Sequence, residues 1–254
     1  MKTLLIVRSE EQLAESIKYA EGIGFRVISA PMIEIKARDD PEFGVFLQRV
    51  LNCEVDYVIF TSVNGIKIAL EKAGSEEFIK ALNKTKVIVI GPKTKRALEE
   101  AGVKDLLMPE KYSSKGILEE YSLLLSGKKV EIVRSIQGDP ELIKGLSSAG
   151  ADVHEVKIYE VTRPTGEAQA NAIKQAPTVD IFAFTSSTAV ENYLKTAEEL
   201  GLRNLVIEIM NSRMVAAIGE LTARKLWENG IKVDIIPECF TFEDLLNAIK
   251  RRVD

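Results

Sequence analysis

The chain of 254 residues is 46% apolar and 28% charged, a composition typical of a globular protein with a substantial core. Its length suits one large domain or two domains of ordinary size. A net charge of −4 disfavours general affinity for nucleic acids, although small anions can still bind at a local site. No apolar run approaches the roughly 20 residues that span a bilayer, and the start MKTLLIVRSEEQ is typical of a first strand rather than a signal peptide. We therefore expect a cytoplasmic protein.

The cysteines and the histidine limit the possible chemistry. Cys53 and Cys239 have no metal-binding spacing, which predicts ordinary reduced and buried thiols. His154 is the only histidine, so sites that need several imidazoles are excluded and a protein-held zinc ion is not expected. Because no nucleophile motif flanks His154, we interpret it as a strand residue that faces solvent.

Short β-branched runs alternate with amphipathic stretches along the chain. The predicted buried strands are, in chain order, TLLIVR, FRVISA, DYVIF, KVIVI, EIVR, ADVHEVKIY, DIFAF, MVAAI and VDIIP. The predicted helices, each ending at glycine, are EEQLAESIKYAEGIG, GIKIALEKAG, KTKRALEEAG, AVENYLKTAEELG and LTARKLWENG. This alternation predicts an α/β fold with parallel sheets covered by helices on both faces. In such folds ligands bind beyond the carboxyl ends of the strands.

The second half of the chain repeats the first. The tripeptide VRS occurs at residues 7–9 and again at 133–135, an offset of 126. DYVIFTSVNGIKIAL at residues 56–70 corresponds to DIFAFTSSTAVENYL at 180–194, an offset of 124. VIGPKTKRALEEAGV corresponds to AIGELTARKLWENGI at an offset of 128. Because the blocks keep the same order, the sequence predicts two lobes related by internal duplication.

Polar stretches that contain proline interrupt the pattern at equivalent points, IKARDDPEF near residues 35–43 and VTRPTGEAQ near 161–169. Two partitions satisfy this arrangement. The chain can divide near residue 126 into tandem domains. It can also leave one domain in the first stretch and return to it in the second, which makes that domain discontinuous.

Six blocks, spread over essentially the whole chain, together resemble the uroporphyrinogen-III synthase family: FTSVNGI, VIGPKT, VKIYEV, FTSSTAVENYL, AAIGELTARKLWENG and PECFTFEDLLNAI. The resemblance implies two flavodoxin-like lobes joined by a two-stranded linker. It selects the discontinuous partition, with residues 1–35 and 166–254 in one lobe, 38–161 in the inserted lobe, and linkers near 35–41 and 161–167.

The resemblance also implies an activity. The substrate would be hydroxymethylbilane, a linear tetrapyrrole with eight carboxylates, which a lyase of this family closes to uroporphyrinogen III with inversion of ring D. No cofactor is implied. The protein would be a monomer that can receive its substrate from hydroxymethylbilane synthase, on the route to haem and related pigments.

Binding candidates lie where predicted strands run into helices. The serines can cap helices whose N-termini attract carboxylates, the glycines leave the backbone open to close approach, and the threonines add hydroxyls. These candidates are Ser62, Gly91, Thr94, Ser186, Gly219 and Thr222. Each of them also fits a purely structural role, since parallel folds place polar caps after most strands.

Cationic candidates complete the predicted binding set. Arg8 and Arg134 follow strands, and a guanidinium can bind a carboxylate through two parallel hydrogen bonds. Lys93 and Lys95 can attract an anion, and Arg213 is a further cationic candidate. Two more, Arg96 and Arg224, are better explained as solvated helix residues.

Tyr159 is the candidate catalytic residue. Its counterpart in the first repeat is Ile33 (159 − 126 = 33), so the duplication does not explain a tyrosine at this position. The resemblance places Tyr159 in the family's VYxT-like strand and implies that it assists loss of the substrate hydroxyl. Here the stretch is IYEV, and the threonine is absent. A phenol is protonated at neutral pH and can donate to a leaving oxygen, but Tyr159 can also serve only as packing.

Three other classes of protein fit the sequence less well. A non-catalytic two-lobed binding protein for a small polyanionic ligand would share the predicted cleft but would not need Tyr159. Paired receiver domains would need acidic clusters at the strand ends, where the sequence has Arg8, Thr61, Gly91 and Arg134 instead. A nicotinamide enzyme is disfavoured because no GxGxxG follows a strand.

Overall fold

A computed structural model describes residues 1–74 and 76–253. The strands in this part of the chain are β1 (Thr3–Ser9), β2 (Arg26–Ala37), β3 (Tyr57–Phe60), β4 (Lys86–Val89), β5 (Leu106–Leu107), β6 (Lys129–Ser135), β7 (Asp152–Thr162), β8 (Ile181–Phe184) and β9 (Met214–Ala217). The α-helices are α1 (Glu10–Gly22), α2 (Glu42–Leu51), α3 (Val63–Ala73), α4 (Glu76–Leu82), α5 (Pro92–Glu100), α6 (Ser114–Leu125), α7 (Pro140–Ser148), α8 (Glu167–Lys174), α9 (Ser187–Glu199), α10 (Arg203–Ser212), α11 (Glu220–Glu228) and α12 (Phe242–Val253). None of these helices is long and apolar enough to cross a bilayer.

The contacts divide the described chain into two compact units. Unit 1 consists of residues 1–34 and 162–253, and unit 2 consists of residues 35–161. The chain thus enters unit 1, leaves it for the whole of unit 2, and then returns.

The strands of unit 1 lie in the order β2-β1-β8-β9, and their pairings are parallel. If β1, β2, β8 and β9 are numbered 1 to 4 along the chain, this is the flavodoxin-like order 2-1-3-4. The predicted strand VDIIP is absent as a strand: beyond β9 it forms an isolated bridge between Ala216 and Ile235. That strand prediction was wrong, because the apolar residues of this stretch pack without forming a ladder.

Unit 2 has the order β7-β6-β3-β4-β5, again with parallel pairings. If β6 and β7 are numbered 1 and 2, and β3, β4 and β5 are numbered 3, 4 and 5, this order is 2-1-3-4-5. Both units therefore share one arrangement. The two-residue strand β5 was not predicted.

The register of the sheets agrees with the duplication. In unit 1 the β1–β2 register shifts after Arg8, so that Ser9 pairs with Ile33. In unit 2 the β6–β7 register shifts after Arg134, so that Ser135 pairs with Tyr159. The same irregularity therefore occurs at the same repeat position and aligns Tyr159 with Ile33.

Both faces of each sheet are covered. Along β1, Leu5 and Val7 belong to one buried cluster, whereas Leu4 and Ile6 belong to another. Because successive strand residues point to opposite faces, each face must carry its own layer of helices. Strand β3 alternates between two clusters in the same way. The predicted α/β class with parallel sheets is confirmed.

Glycine marks the end of a predicted helix in the structure as it does in the sequence. Helix α3, for example, ends at Gly74, whose φ of 68° is left-handed and whose N–H donates to the Leu70 carbonyl. This is the helix ending that favours glycine.

Two predictions about single residues were wrong. Cys53 and Cys239 are free, as expected, but both are exposed rather than buried. The side chain of His154 does not face solvent. Only 20% of it is exposed, and its ring nitrogens contact Glu131 and Glu42.

Candidate active site

In each unit the strand order reverses between two neighbouring strands, and ligands of such sheets bind beyond the carboxyl ends of those strands. The reversal lies between β6 and β3 in unit 2, and between β1 and β8 in unit 1. The sequence candidates Arg8, Ser62, Arg134 and Ser186 follow or end these four strands.

Ser62 begins helix α3 as predicted. Its backbone is extended (φ −164°, ψ 158°), and its Oγ accepts a hydrogen bond of 3.0 Å from the N–H of Gly65. A serine in this position satisfies one of the donors that the first helical turn leaves free. The remaining N–H groups and the helix dipole make the partly exposed Ser62 corner favourable for an anion.

Tyr159 lies beside this cap. Its hydroxyl oxygen is 2.7 Å from Ser62 Oγ, and either hydroxyl can be the donor. Because Ser62 Oγ already accepts from Gly65, its own proton is free to be given to the phenolic oxygen. Tyr159 as a whole is only 5% exposed and packs in the core of unit 2, which fixes the position of its ring. The structure thus joins the candidate catalytic phenol to the helix cap in one hydrogen-bonded pair.

Unit 1 repeats the cap without the phenol. Ser186 Oγ accepts from the N–H of Ala189 at 3.1 Å, with backbone angles close to those of Ser62. At the position of Tyr159 this unit has the partly buried Ile33, which packs on its own core. The two corners share a fold but differ in the one group that can transfer a proton.

Arg8 is partly exposed at the end of β1. Its guanidinium carbon lies 4.5 Å from the centre of the Phe242 ring, and Nη1 donates to Ser16 Oγ at 2.7 Å. Burial lowers the pKa of Arg8, while Glu243 and Glu15 act in the opposite direction. The aromatic face and Ser16 hold the guanidinium in place, so Arg8 remains a candidate to bind a carboxylate.

Arg134 has a different environment from its repeat counterpart. Its side chain is 3% exposed, its Nε lies 3.2 Å from a Glu155 carboxylate oxygen, and its Nη1 donates to the Asp139 carbonyl. Gly138 passes directly over the guanidinium, and a Cβ on that glycine would collide with it. The predicted carboxylate contact of Arg134 therefore has no support, because its charge is already neutralised inside the protein.

The predicted threonine contacts have no support either. Thr94 and Thr222 are 4% and 3% exposed, since both point into the protein from the first turns of their helices. Burial removes their hydroxyls from the surface that a ligand can reach.

The two predicted glycines begin α5 and α11, but an aromatic side chain covers each of them. A Cβ built on Gly91 would lie 3.2 Å from Tyr112 Cβ, and one on Gly219 would lie 3.3 Å from Phe240 Cδ1. The backbone at both positions is extended, which any residue can adopt. The ring, rather than an approaching ligand, accounts for the missing side chain.

The sequence interpretation missed Tyr112 and Phe240, although a signal was present. MPEKYS at residues 108–113 and IPECFT at 236–241 form a further repeated block at an offset of 128. The block is short and has no strand or helix period of its own, so periodicity does not reveal it.

Three of the other cationic candidates are solvated or paired on helices or lie away from these corners. Arg96 is exposed and bonded to Glu100 at 2.7 Å, and Arg224 is exposed, as expected of solvated helix residues. Arg213 precedes β9, at the amino end of the sheet, so it cannot serve a site at the carboxyl end. Within residues 1–74 and 76–253, no cluster of His, Cys, Asp or Glu is arranged to hold a metal ion.

The chain was compared with known proteins. Residues 12–247 match the model of the family described as uroporphyrinogen-III synthase HemD. The chain is 32% identical to a putative uroporphyrinogen-III synthase of Methanothermobacter thermautotrophicus over 97% of this chain and 96% of that protein. It is 28% identical to the uroporphyrinogen-III synthase of Chlorobaculum parvum over 98% of both chains.

Solved structures show the same fold. A mutant uroporphyrinogen III synthase of Thermus thermophilus superposes with a TM-score of 0.70 at 23% identity, over 100% of this chain and 99% of that one. The Helicobacter pylori uroporphyrinogen-III synthetase gives 0.66 at 19% identity over the whole of both chains. The family model matches nearly the whole chain, and the relatives align over nearly their full length. The chain therefore belongs to the uroporphyrinogen-III synthase family.

Proposed function

We propose that this protein is a uroporphyrinogen-III synthase, a lyase that closes hydroxymethylbilane to uroporphyrinogen III with loss of water and inversion of ring D. Family membership supports the substrate and the product. The observation that carries the chemical part is the 2.7 Å pair of Ser62 and Tyr159. The pair lies at the carboxyl edge of unit 2, and the duplicated position has Ile33 instead.

Tyr159 is the proposed proton donor. The C–O bond of the hydroxymethyl group breaks, electrons from the pyrrole nitrogen form an azafulvene, and the departing oxygen leaves as water with the phenolic proton. Ser62 stabilises the resulting phenolate with its hydroxyl proton. The phenolate regains a proton from the pyrrolic carbon that is attacked in ring closure. The overall reaction therefore releases one molecule of water.

Substrate binding relies on local donors because the protein as a whole is slightly acidic. The helix N-termini at Ser62 and Ser186 offer N–H groups to carboxylates, and Arg8 offers a fixed guanidinium. The chemistry requires the enzyme mainly to hold a conformation that disfavours direct closure, which positioning by backbone donors can achieve. No cofactor enters this scheme.

The deciding experiment supplies fresh hydroxymethylbilane and separates the type III and type I products by chromatography. We expect type III to predominate with the protein and type I without it. Type I alone in both reactions would overturn the proposal. Binding of the tetrapyrrole without faster turnover would instead indicate the non-catalytic binding protein.

The role of Tyr159 is tested by Tyr159→Phe. We expect kcat to fall by about 10²-fold, within the range that a positioned proton donor contributes. Tyr193→Phe is the matched control, because it removes an equally buried phenol from the core of unit 1. An unchanged kcat in Tyr159→Phe would remove this residue from the mechanism.

Two further properties implied by the family resemblance belong to this proposal: a monomeric protein in the cytoplasm, and transfer of substrate from hydroxymethylbilane synthase. Light scattering at micromolar concentration checks the monomeric state. A faster formation of type III product in the coupled reaction than from free substrate at equal concentration checks the second property.

A further inference from the structure

In each unit an exposed aromatic side chain lies over the glycine that precedes a helix at the carboxyl edge of the sheet. Tyr112 covers Gly91 at the start of α5, and Phe240 covers Gly219 at the start of α11. Tyr112 and Phe240 are nevertheless 58% and 65% exposed. Each ring therefore packs its inner part on the glycine and presents the rest outward.

The two rings are related by the duplication. Residue 112 plus 128 gives 240, the same offset that relates Gly91 to Gly219. The backbone is anchored on both sides of each ring. Pro109 and Pro237 are buried before it, while Ser113 and Thr241 cap the following helices through the N–H groups of Gly116 and Asp244. Both units thus anchor the backbone around an aromatic side chain while leaving that side chain exposed.

Folding alone does not account for this exposure. The space over each glycine is filled by the inner part of the side chain, which a smaller aliphatic residue also supplies. An exposed ring contributes little to the core, yet both repeats have an aromatic residue at this position. The exposed residue just before it is not retained, since it is Lys111 in one repeat and Cys239 in the other. Trp227, another exposed aromatic residue of unit 1, corresponds to Glu99 in the first repeat (227 − 128 = 99), so it has no aromatic counterpart.

We propose that Tyr112 and Phe240 are substrate-contacting residues that stack against the flat pyrrole rings of the linear tetrapyrrole. This inference rests on the proposed function. Carboxylates bind to N–H groups and guanidinium groups, but the rings between them need an apolar surface. Ligand sites usually combine a few polar donors with aromatic walls, and aromatic rings favour offset or edge-on contact with other rings. Tyr112 and Phe240 provide such surfaces at the edge where ligands of this fold bind.

The test measures kinetics with hydroxymethylbilane for Tyr112→Ala and Phe240→Ala. We expect KM to rise about five- to tenfold in each variant, with kcat changed less than twofold, since the rings bind substrate without entering the chemistry. Tyr112→Phe and Phe240→Tyr retain the flat ring and should retain the wild-type KM. Trp227→Ala, which removes an exposed ring elsewhere, is the matched control and should leave both constants unchanged.

Tyr112→Leu and Phe240→Leu separate stacking from space-filling. Leucine still covers the glycine but has no aromatic face, so we expect these variants to keep the thermal midpoint of the wild type and to show the raised KM. A wild-type KM in the leucine variants, or in the alanine variants, would overturn the stacking proposal while leaving the synthase proposal intact. If the wild-type protein itself forms only type I product, the synthase proposal fails first and the stacking proposal fails with it.

Discussion

At the scale of single residues, the duplication supplies an internal control for the site. Ser62 and Ser186 cap their helices with nearly the same geometry, but only Ser62 has a phenolic partner. A difference between the two positions in kinetics therefore does not come from the geometry of helix capping.

Ser62→Ala and Ser186→Ala should each reduce the free energy of unfolding by about 1 kcal/mol, the usual cost of losing a serine cap. Ser62→Ala should in addition lower kcat, because Tyr159 loses the hydroxyl that orients it and stabilises its phenolate. Ser186→Ala should act on KM alone. Urea denaturation and steady-state kinetics of both variants check this, and equal kcat values would show that the Ser62–Tyr159 bond has no catalytic role.

Tyr193 carries a buried polar atom without a partner among the described residues. Its hydroxyl is fully buried in helix α9, its ring packs edge-on against Phe184, and burial raises its pKa. A buried donor without a hydrogen bond costs about 1–3 kcal/mol. Tyr193→Phe should therefore raise the free energy of unfolding by about 1 kcal/mol, seen as a higher denaturation midpoint. A lower midpoint would indicate that the hydroxyl has a partner, such as an ordered water.

At the scale of elements, a charged cluster replaces a hydrophobic pair. Leu5 and Ile28 pair across β1 and β2, and the equivalent positions in unit 2 are Glu131 and His154, which pair across β6 and β7. Glu131 is 2% exposed and lies 2.5 Å from His154 Nδ1 and 3.1 Å from an Arg49 nitrogen. Glu42 contacts His154 Nε2 at 2.9 Å. Since Glu42 and Arg49 both belong to α2, the cluster fastens this helix to the sheet.

The cluster makes stability depend on pH. Burial lowers the pKa of His154, but its hydrogen bonds to Glu131 and Glu42 outweigh burial, and the net shift is upward. A raised pKa in the folded state means that the stabilisation is present below about pH 6.5, the usual value for an unfolded chain, and is lost as pH rises through the folded pKa. Urea denaturation of the wild type should accordingly show a midpoint that falls as the pH rises above about 6.5.

The equivalent pair in unit 1 suggests a variant that tests the role of this cluster in the pH dependence. Glu131→Leu combined with His154→Ile reproduces the pair of unit 1, and replacing a buried ion pair by apolar residues is often neutral or stabilising. The double variant should lose this part of the pH dependence without losing stability at pH 8. His154→Ile alone should destabilise, because it leaves Glu131 buried with Arg49 as its remaining charged partner. A double variant with the pH profile of the wild type would assign the dependence to other groups.

At the scale of the whole molecule, the buried clusters separate along the unit boundaries. The two clusters of unit 2 draw their members from residues 35–161, and those of unit 1 draw theirs from residues 1–34 and 162–253. Each unit therefore buries its own core on both faces of its sheet.

We expect residues 35–161, expressed alone, to fold cooperatively, because a segment of this size with two complete core layers is an ordinary domain. Urea denaturation followed by circular dichroism should show a single transition. The tandem alternative, a fragment of residues 1–126, should not fold, since it lacks β6 and β7 and also β8 and β9. A cooperative transition in the second fragment and none in the first would favour division near residue 126.

Much of the fold followed from local pattern. Alternating β-branched and amphipathic runs predicted β1 and α1, and the FTS blocks predicted the two serine caps. The pattern failed for VDIIP, which has the composition of a strand but only one bridge. Strand formation requires a partner along the whole stretch, and composition does not specify one.

By itself, the sequence determined what depends on neighbouring residues: the parallel α/β class, the helix ends, the duplication, and the position where Tyr159 breaks it. The tertiary structure decided which polar side chains remain available. Arg8 and Arg134 occupy the same repeat position, yet Arg8 is partly exposed on Phe242 while Arg134 is buried against Glu155. The tertiary structure also placed the side chains of Tyr112 and Phe240 over their glycines, in the same way in both units. Burial is set by segments far apart in the chain, so a repeated local pattern can end in two different environments.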